Sequence, residues 1–370
     1  MGRLTLELLL RGAILLVVAR VHPFSYDVHR YWARMHTASL THLPYRDFGW
    51  EFPPLTLLVV LPARWLSVHA FTAVFVGEML CAEYGSLCLL RRRFPHDANA
   101  ISWYWSCVVL PLAAQTWFRL DFLSVLLATW AVLRILARRS AAVPITLGVL
   151  AKLWPAVLIV VLAAKHRIRR AAVATAAVAA SVAAWFAFSP SGFDAFVRYR
   201  HGSGLQIESL VGAPLFAAGA SVSSASDSYV VHRGSLGWVD PVLLGMFCVL
   251  VLICLLSARD RPVRVVSLGG GLVVALMLLS RILSPQYLVW AAPFAALAWA
   301  SGQRVAALLF AVAAWLTAIL NFEYAAFVRG DGVMQALVLT RNLLLVGVAL
   351  ALLRHAFAPG AADEEAVCAS

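Results

Sequence analysis

The chain has 370 residues, is 62% hydrophobic with a mean hydropathy of +0.84, and is only 13% charged. A soluble core cannot absorb that much apolar surface, so the composition excludes an ordinary soluble enzyme and indicates a polytopic membrane protein. The formal charge of +12 comes from 30 Lys plus Arg against 18 Asp plus Glu. Those cations cluster at the ends of apolar runs, the positive-inside pattern with contact to anionic lipid, and no base-stacking motif supports nucleic-acid binding.

In chain order, the apolar runs predict spans near residues 4–20, 53–67, 70–90, 101–116, 120–137, 143–164, 171–188, 236–257, 265–283, 286–301, 304–321 and 334–354. The expected fold is an all-α bundle of about twelve spans, with a range of nine to thirteen. Residues 1–358 read as one integral-membrane domain, and 359–370, with Asp363, Glu364 and Glu365, as a disordered cytoplasmic tail. The first run is followed by no small-residue cleavage site and reads as a retained span. Five of the six cysteines lie inside apolar runs, which makes them small core residues and not a disulfide framework or a metal site.

Two polar stretches interrupt the spans, at about 21–52 and 189–235. In the first, Val28, Tyr31, Trp32 and Met35 share one helical face, and Arg30, Arg34 and Thr37 share another. That spacing predicts a short interfacial helix on the bilayer surface. The second is Ser/Gly-rich around 217–228 and receives no regular structure. With a cytoplasmic N-terminus, both loops fall on the extracytoplasmic side, and the basic stretches at 165–170 and 259–264 fall inside. Arg91, Arg92, Arg93, Arg138 and Arg139 then fall outside, against the positive-inside rule. A re-entrant or broken helix among spans two to six would remove the conflict. Lys152-Leu153-Trp154-Pro155 is the candidate break, since Pro155 removes a backbone hydrogen bond.

Several polar groups are placed to do chemistry. Asp27, just beyond the first span, can take a proton from a hydroxyl at the membrane surface, or pair with Arg30 or cap a helix. Asp47 and Glu51 close the same loop, where a cap and an Arg46 ion pair compete with substrate binding. Lys152 is a cation inside an apolar run, which demands a carboxylate or phosphate partner. Arg119 and Asp121 put opposite charges at a span boundary. His201, Gln206 and Glu208 lie in the second loop, and Gln and Glu suit a sugar's hydroxyls. Arg281, Gln286 and Tyr287 separate two apolar runs, and Arg281 can fork onto phosphate. Arg341 lies inside the last apolar run as a second phosphate contact or a snorkelling helix end. No Gly-rich phosphate loop, nucleophile elbow or His/Cys metal spacing is present, which excludes a nucleotide-dependent ATPase.

These segments, in order, resemble glycosyltransferase family 87, the polyprenyl-phosphate-mannose-dependent alpha-mannosyltransferases of the membrane-embedded GT-C class. The resemblance is carried by Asp27 to Tyr31, PYRDFGWEFPP, RLD at Arg119 to Asp121, AKLWP, LQIES, SPQYLVW and TRNLLL. It implies a GT-C fold in the plasma membrane, with the active site on the extracytoplasmic side and Asp27 as the catalytic aspartate of the first loop. It further implies inverting transfer of a hexose, mannose in the family, from a polyprenyl-phosphate donor to a lipid-linked or cell-envelope glycan acceptor. Arg30, Tyr31, Tyr45, Arg46, Asp47, Glu51, Arg119, Asp121, Lys152, His201, Gln206, Glu208, Arg281, Gln286, Tyr287 and Arg341 are the candidate substrate-binding residues. The chain has Phe52 where the family's EYPP has Tyr, and it lacks the adjacent acid pair of many GT-C loops. These departures leave metal dependence open; a mechanism with no metal or other cofactor is the favoured expectation over one with a divalent ion. The alternatives are a non-catalytic lipid-binding or lipid-flipping protein, and the same enzyme class with another polyprenyl-phosphate sugar.

Overall fold

A computed structural model describes residues 2–21, 25–39, 41–202, 204–225, 228–232, 236–261 and 263–358. The expected tail at 359–370 lies outside them. Helix α1 (Gly2–Val21) leads to α2 (Ser25–His36), then α3 (Thr56–Val60) and α4 (Val68–Arg93). Next come α5 (Ala98–Val109), α6 (Ala113–Thr116), α7 (Asp121–Leu136), α8 (Ala142–Ala151), α9 (Val157–Ala164) and α10 (Ile168–Phe188). The second loop holds α11 (Pro190–Gly202), α12 (Gly212–Ala217) and three short strands. The chain finishes with α13 (Val239–Asp260), α14 (Val265–Leu278), α15 (Leu288–Ala300), α16 (Arg304–Phe322), α17 (Tyr324–Val328) and α18 (Gly332–Ala356).

Five of these, α4, α10, α13, α16 and α18, are each long and apolar enough to cross a bilayer. α4 is capped by Ser67, whose hydroxyl accepts from the Ala70 N–H at 3.4 Å, and α18 by Asp331, whose Oδ1 accepts from the Val333 and Met334 N–H groups, both at 3.0 Å. α14 is nearly all buried because it carries Gly269, Gly270 and Gly271. A Cβ at Gly269 would meet Phe294 of α15 at 2.6 Å, and one at Gly271 would meet Leu353 of α18 at 2.7 Å. Bare backbone at these points lets three helices close on one another.

Five helices of spanning length stand among the described residues where about twelve spans are expected, and two of the expected spans take another form altogether. Residues 53–67 form only the five-residue α3 and a four-residue 3-10 turn, Leu61–Arg64. At about 1.5 Å per residue, that covers less than half of a hydrocarbon core of roughly 30 Å. Residues 143–164 do not run straight through either. α8 ends at Lys152, which is extended at φ −163° and ψ 140°. A 3-10 turn at Trp154–Ala156 follows, and α9 returns. The return is fixed at its end: Arg167 donates to the Ile135 carbonyl at 2.6 Å, and Arg138 and Lys165 line one cavity. The hairpin runs the length of α7, from Arg167 at Ile135 to Lys152 at Asp121.

With residues 142–164 folded back at Lys152, the basic clusters gather at one end of the bundle. Arg91 pairs there with Glu7 at 3.2 Å, Lys165 donates to the Val263 carbonyl at 3.0 Å, and Arg264 to that of His355 at 2.9 Å. The other end gathers the two long loops, residues 117–120, the Lys152 break, residues 279–287 and α17. Leu55 N–H bonds the Leu150 carbonyl at 2.9 Å, and Ser189 Oγ bonds that of Tyr45 at 2.9 Å.

α2 forms where the spacing predicts it. Its apolar face is covered by protein: Val28, Tyr31 and Met35 are buried, and Tyr31 packs on Trp50, Phe52 and Phe75. Trp32 Nε1 donates to the Leu66 carbonyl at 2.9 Å. The face expected to lie on lipid is thus used to fasten α2 over the start of α4. The second loop, which received no regular structure, contains β1 (Leu205–Gln206), β2 (Ser221–Ala225) and β3 (Ser228–His232). They form an antiparallel sheet of order β1-β3-β2, with Leu205 opposite Val231 and Val222 opposite the same residue.

Candidate functional site

The first loop separates its three acids. Asp27 lies in the first turn of α2, and its Oδ2 is 2.9 Å from an Arg119 Nη. Its side chain stays 20% exposed and that of Arg119 37% exposed, so the pair sits at an open mouth. Burial opposes the charge on Arg119, but the carboxylates of Asp27 and Asp121 outweigh it and raise its pKa. Glu51 is buried and pairs with both Arg30 and Arg34 of α2. The expected Arg46 partner belongs instead to Asp47, at 3.2 Å. Asp47 is exposed and caps a turn by accepting from the Leu43 N–H at 2.6 Å, which lowers its pKa.

Tyr45 is a pin. Its backbone is left-handed at φ 68°, its hydroxyl donates to the Phe52 carbonyl, and its ring meets Trp185 of α10. Burial raises its pKa beyond the ordinary tyrosine range, so the hydroxyl stays a donor. Tyr31 is raised likewise by burial.

Asp121, the first residue of α7, is a hub. Its Oδ1 accepts from Lys152 Nζ at 2.6 Å and from Trp290 Nε1 at 2.6 Å. The partner that Lys152 demands is therefore a carboxylate. The Lys152 ammonium also lies 4.8 Å from the Tyr287 ring centroid and 4.9 Å from that of Trp290. Trp290 stacks between Tyr287 at 4.0 Å and Trp154 at 5.6 Å, and Trp154 Nε1 donates to Ser124 Oγ at 2.9 Å. The break in the α8–α9 hairpin is thereby locked to α7 and α15.

Against this hub lies a cavity of about 240 Å³, mostly apolar, walled by Pro53, Lys152, Trp154, Arg281, Tyr287 and Trp290. Two cations on an apolar wall suit an amphipathic anion. Arg281 reaches it from the linker after α14, held by Asp240 and by the Gly204 carbonyl at 2.9 Å. Gln286 is buried in the same linker.

The remaining candidates fasten the second loop. Gln206 Oε1 accepts from the Leu283 N–H at 2.9 Å, tying β1 to the Arg281 linker. Glu208 is 1% exposed, with Oε1 bonded to the Tyr324 hydroxyl at 3.0 Å and Oε2 3.3 Å from an Arg341 Nη. Arg341, expected as a phosphate contact or a snorkelling end, is 0% exposed. It also donates to the Glu208 carbonyl at 2.8 Å and to Asn342 Oδ1 at 3.0 Å. Burial pushes the Glu208 carboxyl above its ordinary value, and Arg341 pulls it down without cancelling the effect. The side chain of His201 lies outside the described residues; its backbone belongs to α11.

The structure thus brings Asp27, Arg119, Asp121, Lys152, Arg281, Tyr287 and Trp290 to one end of the bundle. Glu51 with its arginines, Tyr45, Asp47, Gln206, Glu208 and Arg341 are the frame around them. Sequence reasoning missed Asp240, Tyr324 and the role of Trp290. It also missed a buried ion pair, Arg11 to Glu83 at 2.7 Å, that joins α1 to α4. An acid inside the apolar run at 70–90 was the signal for Glu83.

Comparison with curated proteins and with solved structures returns no match. Residues 50–280, more than half of the chain, match the model of Glycosyltransferase family 87. Asp27 precedes the matched region, whereas Arg119, Asp121, Lys152, Gln206 and Glu208 fall within it. The chain belongs to glycosyltransferase family 87 and is a membrane glycosyltransferase.

Proposed function

We propose that the chain is an inverting transferase that moves mannose from a polyprenyl-phosphate donor to a lipid-linked or cell-envelope glycan acceptor. Its site lies on the extracytoplasmic side of the plasma membrane. The observation that carries this is a partly exposed carboxylate, Asp27, paired with Arg119 at the same end of the bundle as an apolar cavity that Lys152 and Arg281 line. Asp27 takes the proton of an acceptor hydroxyl. The acceptor oxygen attacks the anomeric carbon, and the bond from that carbon to the phosphate oxygen breaks with its electron pair on the phosphate. Attack opposite the leaving group inverts the centre. A phosphate already anionic needs charge stabilisation more than protonation, and Lys152 and Arg281 on the cavity wall supply it. Arg119 orients Asp27. The chemistry proposed requires no metal.

The basic clusters at the opposite end support the sidedness, since positive charge gathers on the cytoplasmic face. The test is transfer of labelled mannose from polyprenyl-phosphate-mannose in membranes that contain the chain. A labelled product that depends on the chain is expected. Transfer from a different polyprenyl-phosphate sugar alone would replace the donor, and lipid movement without a glycosidic bond would overturn the enzyme.

A further inference from the structure

Every residue from Leu112 to Asp121 is buried except Arg119, which opens onto the mouth beside Asp27. Three of the buried ones are polar and uncharged. Thr116 satisfies its hydroxyl by donating to the Leu112 carbonyl at 3.0 Å. Gln115 Oε1 and Trp117 Nε1 find no hydrogen-bond partner among the described residues.

Their neighbours behave differently. Trp50, Trp154 and Trp290 are buried indoles at the same end, and each donates, to Thr56 Oγ1, Ser124 Oγ and Asp121 Oδ1. The buried amide of Gln206 accepts from Leu283. Trp185 Nε1 is also unbonded, but its ring is enclosed by those of Tyr45, Phe193 and Phe196, with centroids at 5.3, 5.2 and 5.1 Å, and ring faces can receive an N–H. Trp117 has no aromatic ring against it among the described residues. A buried donor or acceptor left unpaired bears the whole cost of its lost hydration. Two of them, two residues apart on the turn that carries Arg119, are a departure of the kind found where polarity serves function at the expense of the fold.

The place of this turn says which function. It links Arg119, the partner of Asp27, to Asp121, the partner of Lys152. α6 also packs on the 3-10 turn Pro285–Tyr287, whose Tyr287 ring faces the Lys152 ammonium. In the transfer proposed above, the acceptor oxygen is at Asp27 and the phosphate at Lys152 and Arg281, so the sugar ring lies between them, along this link. A sugar hydroxyl both donates and accepts, which complements one carbonyl oxygen and one indole N–H.

We propose that Gln115 and Trp117 select the transferred sugar, Gln115 Oε1 accepting from one of its hydroxyls and Trp117 Nε1 donating to one. This rests on the transferase reading and names the residues that set its sugar specificity. The Arg119 N–H reaches the Thr116 carbonyl at 3.4 Å, a long bond that lets the link shift as the sugar enters.

The test measures transfer in membranes, and unfolding temperature in detergent, for the full-length protein. The probes are polyprenyl-phosphate-mannose and its 2-, 3-, 4- and 6-deoxy forms. Trp117→Phe and Gln115→Leu each remove an unpaired group, so unfolding temperature should hold or rise while transfer falls ten-fold or more. A site built to bond a hydroxyl rejects the analogue that lacks it, so the wild type should transfer at least one deoxy donor ten-fold more slowly. With the donor that lacks the hydroxyl bonded by Trp117, Trp117→Phe should match the wild type within two-fold, since both halves of the contact are then gone. Ser102→Ala removes another unpaired buried group, in α5 near the basic end of the bundle, and should leave transfer within two-fold. Transfer within two-fold of the wild type would overturn the role of the residue changed and leave the transferase standing. Equal fractional losses with every donor, or a lower unfolding temperature in both variants, would assign the two residues to structure and overturn the inference. No transfer from any polyprenyl-phosphate sugar by the wild type would overturn the transferase itself, and this inference with it.

Discussion

Lys152 Nζ and Trp290 Nε1 converge on the same oxygen of Asp121, each at 2.6 Å. The ammonium in the break of the hairpin is therefore matched to the carboxylate that opens α7. Removing one partner strands the other charge in a buried place, at a cost of about 3–5 kcal/mol. Asp121→Asn and Lys152→Met are each expected to lower the thermal unfolding temperature in detergent. The double variant should lose clearly less than the sum, since neither charge is then stranded. Additive losses would show that the two are not coupled.

The Glu51 clamp predicts an uneven pair of effects. Arg30 is less exposed than Arg34, at 19% against 35%. Glu51→Gln leaves two guanidiniums without their carboxylate and should cost roughly 3 kcal/mol. Arg34→Met, near the surface, should cost about 1 kcal/mol or less. Proteolysis of the first loop should speed up for Glu51→Gln and Arg30→Met well before it does for Arg34→Met.

Glu208 predicts a pH dependence. Burial raises its carboxyl pKa in the folded chain above the unfolded value. The unfolded chain then gives up its proton first as pH rises. Stability contributed by the neutral form is complete below the ordinary glutamate value and lost as pH climbs through the raised one. Unfolding temperature should fall across that window in the wild type. Glu208→Gln should flatten the fall, while a slope unchanged by the substitution would assign it to other groups.

The hairpin is testable by labelling. Arg138→Cys and Arg169→Cys, each in a chain freed of its own cysteines, should react with a membrane-impermeant maleimide under the same condition. Arg46→Cys, at the opposite end, should react under the opposite one. Labelling of positions 138 and 169 from different sides would mean that residues 142–164 cross fully.

Hydropathy placed helices along most of the apolar runs, but among the described residues only five are long and apolar enough to cross a bilayer, against the twelve or so spans expected. It failed at 53–67, where an apolar run is too short once Pro62 and the 3-10 turn are counted. The Lys152 break was legible, since a cation and a proline side by side are costly in a continuous span. Its consequence, bringing Arg138 beside Lys165, needed the fold. The three acids of the first loop are chemically alike in sequence. Only contacts with Arg119, Arg30 and Arg34, and the Leu43 N–H separate them. Arg341 and Glu208 lie 133 residues apart, and Arg281 and Asp240 41 apart, so no local spacing announces either pair. An intramembrane arginine was read as reaching for substrate, when the cheapest partner was a carboxylate of a distant loop.

The most direct measurement is labelled-mannose transfer from polyprenyl-phosphate-mannose by Asp27→Asn beside the wild type. The substitution keeps the shape of the side chain and removes its capacity to take a proton. Unfolding temperature should change little, because Asp27 is partly exposed and its pair with Arg119 is near the surface. Transfer should fall by about 100-fold or more, the range lost with a general base. Transfer at the wild-type rate would contradict the assignment of Asp27 and, with it, the site built around Arg119.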